Sequence, residues 1–461
     1  MIFKSISLNC IAAVVHLGAQ MEGVEVATTF LSAGSELVVS IPHKTKRCSA
    51  TLKVLSLTGG VEPRVDVLGA PALVDVTYNL LPGMVFSIFA WNNASIRIEG
   101  PKQLILNCYR STIPPFLRPV IEYHCIIHDA RTMADKNSLF GPIVLICGKN
   151  DTEKHAIART LCNYAARTGW CPQLVDLDCG VGQMLGAPGT LCAGVIEYPM
   201  TLDEETTTGP VSVCFFTGST EPQIRSGSGE WNMFAPYTHY TNLLLTCVNG
   251  RIARHLGGIA ASSGAVVVLP ELKGISGIVF AENLLRRFNI SHVLCVGDDF
   301  LFSGLQERIM KMQKPMNSHS SVSTRIDRLS QSFHYPPMDA GPEYLSLKLE
   351  KYFFGGGAID LQPSEINKSF SSIEILLLKD NDSHAVVTVV EQDALEAIVG
   401  CVGALLESST IRDKDVLSLA PFALARVQGV DAHGVNLLVS THSAISEKLI
   451  LVVGSFRWIT Q

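Results

Sequence analysis

Apolar and polar positions alternate along the first part of the chain, up to about Gly100. Short alternating or apolar runs at 36–41, 50–57, 64–68, 74–79, 84–91 and 95–99 predict strands, separated by breakers such as Gly59-Gly60 and Pro82-Gly83. Strands of this kind pack as a small sandwich. A stretch running to about Lys136, with Pro114-Pro115 inside it, shows little periodicity and reads as a connector. From about Gly141 the rhythm changes. The apolar run 143–147 predicts a buried strand, and Ile157, Leu161, Tyr164 and Ala165 mark one face of a helix over 156–167. Further strands are predicted at 174–177, 213–216, 265–269 and 292–296, with a helix over 279–288 feeding the last. Such alternation predicts an open parallel sheet. The Ser-rich stretch 315–324, Pro336-Pro337 and Gly341-Pro342 mark a boundary. Beyond Tyr344, the runs 373–378, 385–390 and 449–453 predict a third, largely β part. The expected class is α/β: a central parallel sheet (111–340) between an N-terminal β-sandwich (1–110) and a C-terminal β-rich domain (341–461).

A chain of 461 residues, 47% hydrophobic and only 17% charged, has ample core for two or three domains and is not disordered. The net charge of −6 argues against a surface that coats nucleic acid, so any RNA contact is confined to a local basic patch. Candidates are His43-Lys44-Thr45-Lys46-Arg47, Arg286-Arg287, and the series Arg308, Lys311, Lys314, Arg325 and Arg328. The 13 cysteines form no C-x-x-C and several lie in apolar strands, which suits reduced, buried thiols and no metal site. The opening Met1 to Gly18 is apolar but interrupted by Ser7, Asn9 and His16, and reads as a strand or leader without a convincing cleavage site. No apolar run is long enough for a membrane span.

Between strand 143–147 and helix 156–167 lies Gly148-Lys149-Asn150-Asp151-Thr152-Glu153-Lys154-His155, followed by Ala156. A strand–loop–helix of this form aims loop amides and a helix N-terminus at an anion. The phosphate-loop pattern G-x-x-x-x-G-K-[ST] is met at Gly148 and Lys154. It departs at Glu153, where glycine lets the backbone approach phosphate, and at His155, where a hydroxyl holds magnesium. A carboxylate in the first helical turn repels a phosphate about 4 Å away by roughly 4 kcal/mol at an effective dielectric near 20. The same carboxylate is favoured by the helix N-terminus by up to about 1 kcal/mol. The alternative is an ordinary glycine-terminated strand whose Lys154 is solvated.

Several segments in order resemble one family. They are Asn163-Tyr164-Ala165 with Gly169 and Pro172, Val175-Asp176-Leu177-Asp178, Gly182-Gln183, and Pro188-Gly189-Thr190. To these add the segment 85–91 from Val85 to Trp91 with Ile98-Glu99-Gly100, and Lys351-Tyr352-Phe353-Phe354-Gly355 with Pro363, Phe370, Ile373 and Ile375. Together they are similar to the polynucleotide-kinase-like (Clp-type) subunit of the eukaryotic mRNA cleavage and polyadenylation machinery, kin to RNA 5′-hydroxyl kinases. The resemblance implies a P-loop NTPase-like central domain and an ATP and magnesium site shared with the sandwich. In that site Glu36 lies near the base, with Val85 in place of a partnering lysine. Gly148 to Ala156 line the phosphates, with Lys154 as phosphate lysine and Asp151 as a polar loop residue. Asp178 stands near magnesium and the attacking hydroxyl, with Gln183 beside it, and Arg325 and Arg328 are lid arginines. Where the family carries a substrate motif rich in Thr, Gly and Trp, this chain has Leu269-Pro270-Glu271-Leu272.

Three departures therefore converge on one site, and phosphoryl transfer depends on positioning and charge neutralisation. The leading expectation is a non-catalytic scaffold subunit of nuclear mRNA 3′-end processing, partnered by other subunits of that complex, with ATP bound weakly or not at all. The enzyme alternative is an RNA 5′-hydroxyl kinase using Lys154, Asp178 and Arg325. A third reading is a P-loop-derived binding module in another RNA-processing complex, such as that of tRNA splicing.

Overall fold

The computed structural model describes residues 25–41, 50–56, 61–80, 84–101, 108–110, 117–149, 152–180, 184–202, 211–312, 324–329, 342–356, 359–407, 415–441 and 446–458. The opening segment 1–18 and the basic run 43–47 lie outside them. The chain divides into two compact units, residues 1–118 with 201–203, and residues 119–200 with 204–461.

The first unit is a sandwich of β1 (Glu25–Leu31), β2 (Glu36–Ser40), β3 (Ala50–Leu55), β4 (Val65–Val67), β5 (Ala70–Ala72), β6 (Thr77–Leu80), β7 (Val85–Ala90), β8 (Ala94–Gly100) and β9 (Cys108–Arg110). One sheet runs β1-β8-β3-β6 and the other β5-β4-β7-β2-β9. Alternation in β3 and β8 turns Leu52, Val54, Ile96 and Ile98 inward, while Lys53 and Arg97 point away. Phe86 and Ile88 of β7 are likewise buried. Strand β6 begins later than expected because Asp75 takes a left-handed conformation at φ 61° and turns the chain first.

In the second unit, α1 (Leu117–Lys136) precedes β10 (Ile143–Gly148), α2 (Thr152–Arg167), β11 (Gln173–Asp176), β12 (Thr190–Val195) and β13 (Val211–Phe216). A hairpin of β14 (Gln223–Arg225) and β15 (Trp231–Met233) leads to α3 (Ala235–Arg254) and the single turn α4 (Ile259–Ser262). Then come β16 (Ala265–Val268), α5 (Gly274–Arg287), β17 (His292–Val296), α6 (Asp299–Met312) and β18 (Arg325–Leu329). The sheet order is β13-β12-β11-β16-β10-β17-β18. Its five strands from β11 to β18 are parallel, with β10 buried along its whole length between β16 and β17. Burial on both faces is why these strands read as unbroken apolar runs.

Two expectations need correction. The sheet is mixed: β12 and β13 add to its edge antiparallel, because the described part of 177–189 supplies no crossover helix. The supposed connector before Lys136 is the helix α1. Its inward positions Val120, Tyr123, Ile127 and Ala134 do follow helical spacing, but His124 and Arg131 occupy the same buried stripe and mask the pattern.

The C-terminal part starts with α7 (Pro342–Phe354) and the two-residue strands β19 (Gly355–Gly356) and β20 (Ile359–Asp360). It continues with β21 (Ser364–Ser369), β22 (Ile373–Asn381), β23 (His384–Val389), β24 (Cys401–Glu407), β25 (Ala423–Val430), β26 (Gly434–Val439) and β27 (Leu449–Arg457). The last seven form one sheet, β21-β26-β25-β24-β27-β22-β23, antiparallel except for β22 on β27. One face packs on α3, so that Leu376, Leu378 and Val452 share a core with Phe215, Tyr240 and Leu244. Polar contacts fix the join: Ala235 N–H donates to Asp380 Oδ2 at 2.8 Å, and Ser455 N–H to the Gly218 carbonyl at 2.7 Å. At that seam a Cβ on Gly454 would sit 2.0 Å from the Gly218 oxygen, so both backbones require glycine.

Candidate functional site

The site is built at the carboxyl end of β10. Gly148 takes φ 136°, and a Cβ there would lie 2.0 Å from the Val296 carbonyl oxygen, so no side chain fits. The chain then enters α2 at Thr152; Asn150 and Asp151 lie outside the described residues, as does Gln183. Lys149 N–H donates to the Val296 carbonyl at 3.3 Å, which ties the loop's start to β17.

Glu153, Lys154 and His155 form a buried run at the start of α2, with relative exposures of 1%, 0% and 7%. The reading of Lys154 as a solvated lysine is therefore wrong. Its ammonium donates to the Leu269 carbonyl at 2.9 Å and to the Gly148 carbonyl at 3.2 Å, bridging the ends of β16 and β10. Ala156 is buried behind it, and Thr160 Oγ1 donates back to the Ala156 carbonyl at 2.7 Å. Hydrogen bonds to a charged donor are the stronger kind, which suits a buried amine.

His155 Nε2 lies 3.5 Å from Asp178 Oδ2, and both side chains are almost fully buried. Asp178 is fixed through its other oxygen, which accepts from Gly180 N–H at 2.9 Å. Its neighbour Asp176 accepts from Met184 N–H at 2.5 Å, Leu185 N–H at 3.0 Å and Asp178 N–H at 3.2 Å. Burial, aided by the Asp178 carboxylate, still pushes Asp176 up to about 7.

Beside Asp178 opens a cavity of about 160 Å³, lined also by Glu221, Gln223, Trp231, Pro270, Glu271 and Lys273. Gln223 holds it in shape: its Oε1 accepts from Lys273 N–H at 2.7 Å and its Nε2 donates to the Lys273 carbonyl at 2.9 Å. The Lys273 ammonium sits 4.7 Å from the centre of the Trp231 ring. Burial raises the Glu221 carboxyl above its usual range; Lys273 opposes this, while Asp178 and Glu271 add to it. The segment Leu269-Pro270-Glu271-Leu272 thus does reach the cavity beside Asp178. Glu221, Trp231 and Lys273 were not singled out from the sequence, since they meet only when the β14–β15 hairpin folds over the end of β16.

Arg325 does not join this cluster. It opens β18 in register with His292, whereas Leu329 is level with Val296 and so with Gly148. Four residues of strand put it roughly 13 Å from the loop end of the sheet. There its guanidinium pairs with Asp327 at 2.6 Å, and the structure does not bring it together with Lys154 and Asp178. Arg328 lies nearer that end and pairs with Asp299 at 2.5 Å. The other basic candidates are similarly engaged: Arg286 and Arg308 on Glu282, Lys311 on Glu307, and Arg287 on Asn242. Lys314 lies outside the described residues. In the first unit, Glu36 is fully buried in β2, opposite Phe89.

Residues 148–355 match the family model described as mRNA cleavage and polyadenylation factor CLP1 P-loop, and residues 30–134 that of the N-terminal β-sandwich domain of polyadenylation factor. A CLP1 homolog from Nematostella vectensis is 30% identical over 334 residues, 70% of this chain and 69% of its own length. The chain belongs to the Clp1 family. Its relatives include a polyribonucleotide 5′-hydroxyl-kinase Clp1 of Homo sapiens, 30% identical over 328 residues, covering 71% of this chain and 70% of that one. An mRNA cleavage and polyadenylation factor clp1 of Botryotinia fuckeliana is 25% identical over 399 residues, 80% of each. The fold matches that of Clp1p solved in complex with Pcf11p, with a TM-score of 0.75 at 18% identity over 95% of this chain and 99% of that one. Among the described residues no helix is long and apolar enough to cross a membrane.

Proposed function

We propose that the protein is a non-catalytic scaffold subunit of the nuclear pre-mRNA 3′-end cleavage and polyadenylation complex, binding ATP weakly or not at all and held there by other subunits. The family membership supports the place in 3′-end processing, and the Clp1p–Pcf11p complex supports a partner role. The observation that carries the non-catalytic part is the buried run Glu153-Lys154-His155. It puts a carboxylate in the helical turn that receives phosphate, and an imidazole 3.5 Å from Asp178 where a hydroxyl would hold magnesium. Nitrogen is a poor ligand for so hard a cation. The residues present fit a magnesium nucleotide badly, and no phosphoryl step is derived through one.

A second reading, an ATP-dependent RNA 5′-hydroxyl kinase acting in mRNA or tRNA processing, draws on the retained Lys154 and Asp178 and on the names of several relatives. Calorimetry with magnesium and ATP, paired with labelled-phosphate transfer to 5′-hydroxyl RNA, separates the two. The scaffold reading expects neither tight binding nor transfer. A dissociation constant in the micromolar range or below, or transfer by the unmodified protein, overturns it. Recovery of cleavage-complex subunits with the tagged chain from nuclear extract tests the assignment independently of catalysis.

A further inference from the structure

Strands β12 and β13 carry two thiols at one level of the sheet edge. Their register pairs Thr190 with Phe216, Leu191 with Phe215 and Cys192 with Cys214. One step before these pairs, Thr217 N–H donates to the Gly189 carbonyl at 2.8 Å. Hydrogen-bonded pairs alternate along an antiparallel ladder, so Leu191/Phe215 is the next of that kind and Cys192/Cys214 falls between. A non-hydrogen-bonded pair brings its Cα atoms to about 4.5 Å with both side chains on one face. That lies inside the span of about 4.4–6.8 Å that a disulfide bridges. The sulfurs are already 3.3 Å apart, the Cys192 thiol donating to Cys214 Sγ, and both are free thiols.

The two thiols are not equivalent. Cys192 is fully buried, and Gly186 packs over it so closely that a Cβ there would lie 2.4 Å from its Sγ. Cys214 is half-buried and sits on β13, the outermost strand of the central sheet. The hydrogen bond from Cys192 holds the Cys214 thiol below its usual range, against the effect of burial, and raises Cys192. The accessible sulfur is therefore the one that ionises, while the sealed one keeps its proton. Reaction at a thiol needs thiolate character and access together. Cys147 and Cys295 lack the access. They too are in register, on β10 and β17, but both are 0% exposed and turn their thiols to the Leu294 and Asp298 carbonyls.

We propose that Cys192 and Cys214 are a reversible modification site, a dithiol that a low-molecular-weight disulfide converts to a cross-strand disulfide. The Cys214 thiolate attacks one sulfur of the small disulfide, whose S–S bond breaks and releases a thiolate that takes a proton from water. Cys192 then attacks Cys214 Sγ, expels the second small thiolate and passes its own proton to it. Two protein thiols are oxidised, and one small disulfide is reduced to two thiols. Closing the bond brings the sulfurs from 3.3 Å to about 2.0 Å, within the reach of side-chain rotation. The bond clips β13 to β12, and β13 runs on into Gly218, whose carbonyl accepts from Ser455 at the seam with the C-terminal sheet. Thiol oxidation is thereby coupled to the firmness of that join, whether or not the loop at Gly148 binds nucleotide.

The test equilibrates the full chain with mixtures of reduced and oxidised glutathione, quenches with acid, alkylates the remaining thiols and maps the peptides by mass spectrometry. Thermal melting is run on the same samples. A Cys192–Cys214 linked peptide pair is expected, reversed by dithiothreitol and accompanied by a Tm raised by several degrees. Cys147 and Cys295 should stay reduced. Cys192→Ala should leave Cys214 carrying one glutathione, because no second thiol expels it, and Cys214→Ala should leave Cys192 unmodified. The exposed Cys125 and Cys247 report that the oxidant has acted. A native chain in which those two carry glutathione while Cys192 and Cys214 both remain free thiols overturns the proposal. So does a Cys147–Cys295 link formed to the same extent, or a Cys192–Cys214 link that forms only in denatured chain. The unsubstituted protein gives each of these readings, so a variant that fails to fold cannot decide the matter.

Discussion

Restoring the loop pattern with Glu153→Gly and His155→Ser should give the protein measurable ATP affinity. Glu153 is buried in the first turn of α2, so its carboxylate is poorly screened. At about 4 Å from a phosphate, and an effective dielectric near 20, its removal is worth about 4 kcal/mol per unit charge, nearly three decades in affinity. Against this, a phosphate must draw the Lys154 ammonium from the Gly148 and Leu269 carbonyls, which costs about 1 kcal/mol. The serine adds a hard oxygen ligand and releases Asp178 from His155. The net expectation is a gain of roughly two orders of magnitude, because β10, α2 and the Lys154 amine are already in register. Isothermal calorimetry of the wild type, both single variants and the double variant measures it, with circular dichroism to confirm the fold. The His155→Ser single variant should gain little, since the carboxylate remains. A folded double variant that binds ATP no better than the wild type refutes the electrostatic account. RNA kinase activity is not expected even in the double variant, because Glu221 and Glu271 still line the cavity beside Asp178.

Lys154→Met keeps the apolar stem but strips the Gly148 and Leu269 carbonyls of their ammonium donor. Two lost partners, partly offset by relief from burying a charge, should cost about 2 kcal/mol and lower Tm by roughly 4–8 °C. Complex assembly should survive, and an unchanged or raised Tm would show that the amine has no structural role. A pH effect is expected from His124, which burial, with Arg131 adding, lowers to about 4. The unfolded chain takes this proton near pH 6.5, so between about 4 and 6.5 the unfolded state binds more protons. Stability is therefore full above that window and falls through it on acidification, by about 2 kcal/mol after allowance for screening. His124→Gln should flatten that slope in urea denaturation; an unaltered slope assigns it elsewhere.

The parts of the fold legible in the sequence were those whose side chains obey one rule. Strand β10 is apolar throughout because both faces are covered, and α2 keeps a clean stripe from Ile157 to Ala165. Helix α1 was illegible for the opposite reason, since His124 and Arg131 sit where the rule demands apolar residues. Strand β12 is built of Thr, Leu, Cys, Ala, Gly and Val, too weak a β signature to stand out before its partners are known. At the site, Lys154 stood out by its fixed offset from Gly148, while Asp178 was singled out only through the family resemblance. Arg325 was assigned only through the family resemblance, and its Arg-Ile-Asp-Arg-Leu run is that of edge strand β18. Trp231, Glu221 and Lys273 carry no local pattern; the clasp of Gln223 and the packing of α5 on β15 bring them together across the chain.

The glycine seam between Gly218 and Gly454 bears on how such a protein ages in evolution. A Cβ on Gly454 would sit 2.0 Å from the Gly218 oxygen, Gly218 takes a left-handed φ of 72°, and the strands behind them share one core with α3. Selection on that seam acts through solubility and folding, not chemistry. A truncation ahead of β21 would bare the face that carries Phe215, Tyr240 and Leu244, and leave a sticky remnant in place of a smaller working module. Substitutions at Glu153 or His155 leave the seam untouched. The seam therefore constrains the architecture independently of whatever chemistry the loop supports, so substitutions in the loop and in the seam are free to be selected on separate grounds.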